Sequence, residues 1–330
     1  MERATLVILP GVLIALAASS WAVPLVGAAH FPKKAAAMAG LKPLKSSTNS
    51  QLAHSNITVP MPVRFREARD SGLLVRVWIN GSGPYTFAVD TGAGITVVTD
   101  NLVRQARLQV TARRHMPTTG LSGVTAVLNR EAVIDRIALG EADNLLPSKS
   151  VAIIAANLPS DIEGILDPTE AYTPLGYSID MPNREIQSFD PNAGGLNSQN
   201  QPPGGTVVRW IHDGPSRRPF VRLGDGRLAL VDTGSGFGLA VSETGLHIGN
   251  TRRGERVRDI SGGTIQSRRA APTSVSIGSL VLRGVPTDVL TGVEKCAPVI
   301  LGRDALCPFR ITFDPVRRLI EIAPPAENDR

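Results

Sequence analysis

The tripeptide Asp-Thr-Gly occurs twice in the sequence, at residues 90–92 and 232–234. Ordinary residue usage would produce one copy by accident in roughly one chain in fifteen of this length, but two copies in only about a few chains per thousand. Two carboxyl groups within hydrogen-bond distance of one water cannot both ionise easily, so they share a proton. One carboxylate can draw a proton from that water, which attacks a carbonyl group, while the protonated partner stabilises the oxyanion. Asp90 and Asp232 are therefore the candidate catalytic residues, and this chemistry needs neither a metal nor an organic cofactor.

The threonine and glycine that follow each aspartate can both support a catalytic loop. Gly92 and Gly234 have no side chain, so the backbone can turn sharply there and bring its amide close to the carboxylate. Thr91 and Thr233 can form hydrogen bonds between the two loops and hold them in one arrangement. Threonine is also common next to β-strands for purely structural reasons. Because the residues occur in pairs, we expect all four to support the catalytic loops.

The next residue differs between the two copies, since it is Ala93 in the first and Ser235 in the second. Only the serine can donate a side-chain hydrogen bond to its carboxylate, and such a bond favours the charged form. We therefore expect Ser235 to support the second loop and Asp232 to be the ionised partner. Asp90 would then be the protonated one, although a coupled pair titrates as a unit.

Corresponding segments surround the two tripeptides and predict a tandem repeat of two halves. In each half an apolar strand enters the tripeptide and a β-rich strand leaves it, as FAVDTGAGITVVT and LALVDTGSGFGLAVS. Further on, GIL at 164–166 matches VILG at 299–302. Each half ends in a predicted hairpin, at 180–186 and 314–320.

Short strands with frequent glycine and proline predict an all-β body, with helix confined to short pieces at 100–108 and 303–306. Changes in composition divide the chain further. The predicted divisions are a signal peptide or membrane anchor at 1–29, a flexible spacer at 30–57, a first lobe at 58–190, a linker at 191–206 and a second lobe at 207–330. The segment before the first lobe could also be a pro-segment.

The paired segments resemble the pepsin and retropepsin superfamily of aspartic peptidases, from about residue 75 to residue 322. The resemblance rests on residues 90–93 and 232–235 and on the Ile-Leu pairs at 165–166 and 300–301, which in that superfamily thread under the catalytic loops. It implies a bilobal acid-protease fold, with two retropepsin-like β-barrel lobes and the active site at their junction. The implied activity is that of an aspartic-type endopeptidase acting on a peptide or protein substrate, as a monomer and without a cofactor. The alternative is a catalytically silent peptide-binding envelope protein of the same fold.

The sequence also departs from that superfamily. Asp167 stands where the second half has Gly302, so we expect a distorted first loop. No tyrosine lies between Phe87 and Ala171, so the flap tyrosine of pepsins has no counterpart there. Two glycine-bearing runs could instead form retropepsin-like flaps, although each also fits a surface hairpin turn. The flap candidates are Gly120, Ser122, Gly123, Gly262 and Gly263.

Charge, hydropathy and cysteine content limit the possible binding partners and the cellular location of the protein. The net charge of +6 would fit a nucleic-acid binder, but the arginines are scattered and not interleaved with aromatic residues, so we expect no nucleic-acid partner. The uncharged stretch 4–29 predicts export to the periplasm or the medium, or a membrane tether if it is not cleaved. Cys296 and Cys307 could form a disulfide in an oxidising compartment or remain buried thiols. Two sulfurs without a nearby histidine predict no metal site.

Overall fold

Strands dominate the computed structural model, which confirms the predicted all-β class. The structure describes residues 58–68, 71–112, 117–119, 121–127, 130–155, 158–213, 216–243, 256–258, 263–293 and 297–325. These residues belong to one compact unit. The predicted export segment and spacer, residues 1–57, lie outside the described residues.

The strands follow the chain in two sets that correspond to the predicted halves. The first set is β1 (Val63–Arg64), β2 (Arg66–Ala68), β3 (Gly72–Ile79), β4 (Ser82–Val89), β5 (Val97–Thr99), β6 (Gln109–Ala112), β7 (Pro117–Thr119), β8 (Thr125–Val127), β9 (Arg130–Ile134), β10 (Ile137–Leu139), β11 (Ser150–Ala155), β12 (Gly164–Leu166), β13 (Gly176–Asp180) and β14 (Glu185–Phe189). The second set is β15 (Thr206–Arg209), β16 (Ile211–Asp213), β17 (Ser216–Arg222), β18 (Leu228–Asp232), β19 (Leu239–Ser242), β20 (Arg256–Arg258), β21 (Thr264–Arg269), β22 (Thr273–Ile277), β23 (Leu280–Val285), β24 (Thr287–Thr291), β25 (Val299–Gly302), β26 (Arg310–Asp314) and β27 (Leu319–Ala323).

The helices of the described residues are short. They are α1 (Asp100–Gln105), α2 (Pro168–Tyr172), α3 (Pro191–Gly194) and α4 (Arg303–Leu306). α4 has the predicted bounds, but α1 ends before residue 108 because Arg107 adopts a left-handed conformation that breaks the helix. The sequence analysis missed α2 and α3, although an aspartate N-cap followed by proline at the first helical position marks both.

Each half forms a large sheet, and seven strands of one sheet correspond in order to seven of the other, while the edge strands β10 and β16 do not correspond. The order is β10-β3-β4-β12-β5-β11-β9-β6 in the first half and β16-β17-β18-β25-β19-β24-β21-β20 in the second. The strand that leads to the aspartate, β4 or β18, runs parallel to the Ile-Leu strand, β12 or β25. The Ile-Leu strand is in turn antiparallel to the strand that leaves the tripeptide, β5 or β19. Both catalytic loops are thus held by buried central strands.

A third sheet, of order β1-β14-β13-β26-β27-β15, joins the halves. Its central strands β13 and β26 come from different halves and pair antiparallel. The rings of Tyr177 and Phe313 stack across this pair with centroids 4.7 Å apart. The two predicted terminal hairpins supply four of the six strands, so the sheet holds the halves side by side.

The predicted linker at 191–206 is packed against the body of the protein. It begins with α3, and the backbone N–H of Leu196 donates to Asp314 Oδ2 at 3.0 Å. Its role as a boundary between two domains stays a prediction.

Candidate active site

The structure places both aspartates where a central strand ends. Asp90 follows β4, Asp232 is the last residue of β18, and both are fully buried. The backbone N–H of Asp90 donates to the carbonyl of Leu166 at 3.0 Å, and Asp232 lies opposite Gly302 in the parallel register. The Ile-Leu strands therefore fix the position of each catalytic loop, as the resemblance implied.

The two threonines exchange hydrogen bonds across the junction of the halves. The Thr91 hydroxyl donates to the carbonyl of Val231 at 2.7 Å, and the Thr233 hydroxyl donates to that of Val89 at 3.2 Å. Each hydroxyl oxygen also accepts the backbone N–H of the other threonine, at 3.1 and 3.2 Å. Four buried hydrogen bonds thus hold the two loops in one arrangement.

The glycines allow the two carboxyl groups to approach. A Cβ atom placed on Gly92 would lie 2.8 Å from Cγ of Asp232, and one placed on Gly234 would overlap Cγ of Asp90. Each carboxyl group therefore packs against the glycine of the opposite loop. No residue with a side chain would fit there without displacing a carboxylate.

Hydrogen bonds to the two carboxyl groups are unequal. Asp90 Oδ1 accepts one backbone N–H, from Gly92 at 2.7 Å. Asp232 Oδ1 accepts two, from Gly234 at 2.9 Å and from Ser235 at 3.1 Å. Since a carboxylate gains more from these donors than a neutral acid does, the second site holds negative charge better.

The pKa values shift accordingly. Burial raises the pKa of Asp90 well above its usual range, and the negative charge of Asp232 raises it further. Burial also raises the pKa of Asp232, but the hydrogen bond from Asp90 and the N–H groups of Ser235 and Gly234 oppose that rise. These shifts favour Asp90 as the carboxyl that holds the shared proton and Asp232 as the ionised one.

This assignment agrees with the sequence-based hypothesis, but the expected hydrogen-bond donor was wrong. The backbone N–H of Ser235 donates to the carboxylate, and the Ser235 hydroxyl oxygen instead accepts the N–H of Phe237 at 3.3 Å. In the first half, the N–H of Ala93 points to the backbone carbonyl of Asp90 at 3.4 Å. The asymmetry thus comes from the loop backbone.

Sequence reasoning missed Arg303. This arginine is buried, and its Nη1 lies 3.3 Å from the carbonyl oxygens of Thr233 and Gly234, to which it donates. Its Nε lies 3.8 Å from Glu67 of β2. The charge of Arg303 also lowers the pKa of Asp232, after the hydrogen bonds described above. A cation directly after the VILG segment was the signal that could have identified it.

The first loop differs from the second in the hydrogen bond made by the N–H of Ala93, and the distortion expected from Asp167 stays a prediction. The Asp90 loop keeps its hydrogen bonds to Leu166 and Gly92, because Asp167 leaves the strand and caps α2 instead. Its Oδ1 accepts the backbone N–H of Thr169 at 2.9 Å. Burial, and next the charge of Glu170, raise the pKa of Asp167 to about 7.

The structure brings parts of the two flap runs together. Ser122 and Gly123 lie in the turn between β7 and β8, and Gly263 immediately precedes β21. A Cβ atom placed on Gly263 would overlap the side chain of Ser122, so the two runs touch. Leu121 is buried in an apolar cluster whose other members, such as Phe237, belong to the second half. Gly120 and Gly262 lie outside the described residues, and a flap function stays a prediction.

The remaining sequence-based predictions concern cysteines, metals and membranes. Cys307 is an exposed free cysteine, so the alternative prediction that it is a buried thiol is wrong. Its predicted disulfide partner, Cys296, lies outside the described residues. Within the described ranges, no group of three or more His, Cys, Asp or Glu side chains could hold a metal ion. The described part of the chain also contains no helix long and apolar enough to cross a membrane.

Comparison with known families agrees with this geometry. Residues 75–166 match the family model described as aspartyl protease, and this segment contains Asp90 and its Ile-Leu strand. This segment is similar to aspartyl proteases of the pepsin/retropepsin type. No curated protein matches the chain.

Proposed function

We propose that this protein is an aspartic endopeptidase that hydrolyses peptide bonds with a water activated by Asp90 and Asp232. One observation carries the proposal: two buried carboxyl groups from different halves each pack against the glycine of the opposite catalytic loop. The match of residues 75–166 to an aspartyl protease family supports protease activity.

The unequal carboxyl groups suit general acid–base catalysis. Asp232, as the ionised partner, takes a proton from the water, whose oxygen forms a bond to the carbonyl carbon of the peptide. Asp90 donates its proton toward the carbonyl oxygen and stabilises the negative charge that develops there. When the tetrahedral intermediate collapses, the C–N bond breaks, the proton taken up by Asp232 passes to the leaving nitrogen, and Asp90 regains its proton from the hydroxyl that becomes the new carbonyl. The N–H groups of Gly234 and Ser235 serve this cycle by keeping Asp232 ionised between turnovers.

We also propose that the β7–β8 hairpin and the segment around Gly263 cover a bound peptide. Two contacts support this role: the runs touch at Ser122, and Leu121 packs against residues of the opposite half. One chain supplies both aspartates, which supports a monomeric working unit. Export or a membrane tether remains our proposal from the uncharged stretch at 4–29.

The proposal is tested with the full-length protein and a mixed-sequence peptide library, incubated over a range of pH and analysed by mass spectrometry. Wild type should cleave a subset of peptides. Asp90→Asn and Asp232→Asn should each lose about 10³-fold or more in rate, as expected when a general acid or base is removed. The exposed Asp135→Asn serves as the control and should cleave like wild type.

A different result would favour the second candidate function. If folded wild type binds peptides from the library but cleaves none at any pH, the protein is a silent peptide-binding member of this fold. Cleavage that persists in both asparagine variants would exclude the dyad mechanism.

A further inference from the structure

The two halves place different residues beside their catalytic aspartates. In the first half the parallel pairing of β4 and β12 ends where Val89 lies opposite Leu166, and the next residues of the two segments are Asp90 and Asp167. In the second half the corresponding partner of Asp232 is Gly302. The charge of Asp167 reaches Asp90 and adds to the rise in its pKa, after burial and the charge of Asp232, whereas the residue opposite Asp232 is Gly302, which has no side chain.

Asp167 is buried and held in place. Its Oδ1 accepts the N–H of Thr169 at 2.9 Å, and its own N–H donates to the Thr96 hydroxyl at 3.3 Å. The charged groups that face it are Glu170 of α2, which adds to the negative charge, and Arg217 of β17, which opposes it. Arg217 is exposed and donates to the Thr173 hydroxyl at 2.9 Å, so water screens much of its charge.

The opposite charge lies behind Asp232. The buried guanidinium of Arg303 donates to two carbonyls of that catalytic loop, and it faces Glu67 of β2 and the neighbouring Asp304. In the first half, Pro168 follows Asp167 where the second half has Arg303 after Gly302. The pair of aspartates therefore lies between a buried acid on the Asp90 side, which is mostly anionic only above about pH 7, and a buried cation on the Asp232 side.

We infer that Asp167 is a positioning residue that, where it is ionised, holds the shared proton on Asp90 and leaves Asp232 as the base. This inference rests on the proposed function. A negative charge beside Asp90 makes the loss of its proton unfavourable, and the cation beside Asp232 favours the ionised form of that carboxyl. In a symmetric pair the proton would lie equally on either carboxyl. The negative charge of Asp167 and the positive charge of Arg303 both favour the arrangement with the proton on Asp90.

This arrangement acts on one side of the pH profile only. The pKa of Asp167 is about 7, mainly because of burial, so its charge is present in the upper part of the pH range. In that upper range the charge of Asp167 shifts the deprotonation of Asp90 to higher pH. This deprotonation is the step that ends activity on the alkaline side. At acid pH, where Asp232 gains a proton, Asp167 is neutral and has no charge to exert.

The test is the pH dependence of kcat/KM in Asp167→Asn. The amide oxygen of asparagine can still accept the N–H of Thr169, so the cap on α2 is kept. We expect the alkaline limb to move to lower pH by about one pH unit, and the acid limb to stay in place. Asp288→Asn is the matched control, because Asp288 is a buried carboxyl of the second half bonded to Ser267 and Arg269; it should move neither limb. An unmoved alkaline limb in folded Asp167→Asn would overturn the inference, as would an equal movement of both limbs.

A second measurement separates this inference from the proposed function. The carboxyl carbon of Asp90 is titrated by ¹³C NMR without substrate, in wild type and in Asp167→Asn. The midpoint should fall in the variant, as the negative charge beside Asp90 is removed. If wild type shows no turnover but the midpoint falls, the proposed function fails and the placement of the proton stands. If the midpoint does not move, Asp167 only caps a helix and the inference is wrong.

Discussion

Asp167 should make the folded protein less stable as the pH rises, and Asp167→Asn should remove that loss. The carboxyl is fully buried in the folded state, where its pKa is about 7, against an ordinary value of 3.8 that we assign to the unfolded chain. Between these two values the folded protein binds more protons than the unfolded chain. Stability therefore falls with rising pH in that window.

The size of the effect follows from the difference between the two pKa values. A difference of about three corresponds to about 4 kcal/mol at 1.36 kcal/mol per pH unit. Below about pH 4 the carboxyl is protonated in both states and contributes no difference. The loss accumulates from there to about pH 7 and is constant at higher pH.

Urea unfolding of wild type and Asp167→Asn at several pH values between about 4 and 8.5 measures this effect. The free energy of unfolding of wild type, minus that of the variant, should fall by about 4 kcal/mol across the range. The exposed Asp225→Asn is the control. The hydrogen bond from Arg227 lowers the pKa of Asp225, so this carboxyl is ionised in both states above about pH 5 and its difference from wild type should stay level there. A level difference for Asp167→Asn as well would refute the reasoning from burial.

Three further substitutions test the arrangement of the loops. Gly234→Ala should lower turnover in the peptide assay by about 10²-fold, because the new Cβ displaces the Asp90 carboxyl. The control Gly194→Ala should match wild type, because no atom lies within 4 Å of the new Cβ. Equal losses in the two variants would contradict this reasoning. Thr233→Val leaves the N–H of Thr91 and the carbonyl of Val89 without the Thr233 hydroxyl, so the free energy of unfolding measured in urea should fall by about 2–4 kcal/mol. The exposed Thr111→Val is the control and should lower it by less than about 0.5 kcal/mol. Leu121→Ala removes a buried contact with the second half and should speed amide exchange in β7 and β8 but not in β18; unchanged rates would show that this contact does not hold the hairpin.

The sequence alone determined the features that depend on local pattern. The paired tripeptides identified Asp90 and Asp232, and strand-like alternation with glycine and proline breaks predicted the all-β class. The Ile-Leu segments and α4 also lie where the pattern placed them. Even α2 and α3, which the analysis missed, begin with a local Asp-Pro signal. Such features follow from residue types within a few positions of one another, so one sequence is enough to predict them.

The tertiary structure decided how the two aspartates differ. The hydrogen bonds between Thr91 and Thr233 join residues 142 positions apart, and Arg303 reaches carbonyls about 70 positions before it in the chain. The sequence suggested the Ser235 hydroxyl as the donor to Asp232, but the loop presents the backbone N–H instead. The effect of Asp167 depends on its burial and on its position directly after β12, which pairs with the strand that leads to Asp90; only the packed structure defines both. The strength of charge interactions and hydrogen bonds depends on distance in space, so the difference between the two carboxyl groups follows from the fold and not from the motif.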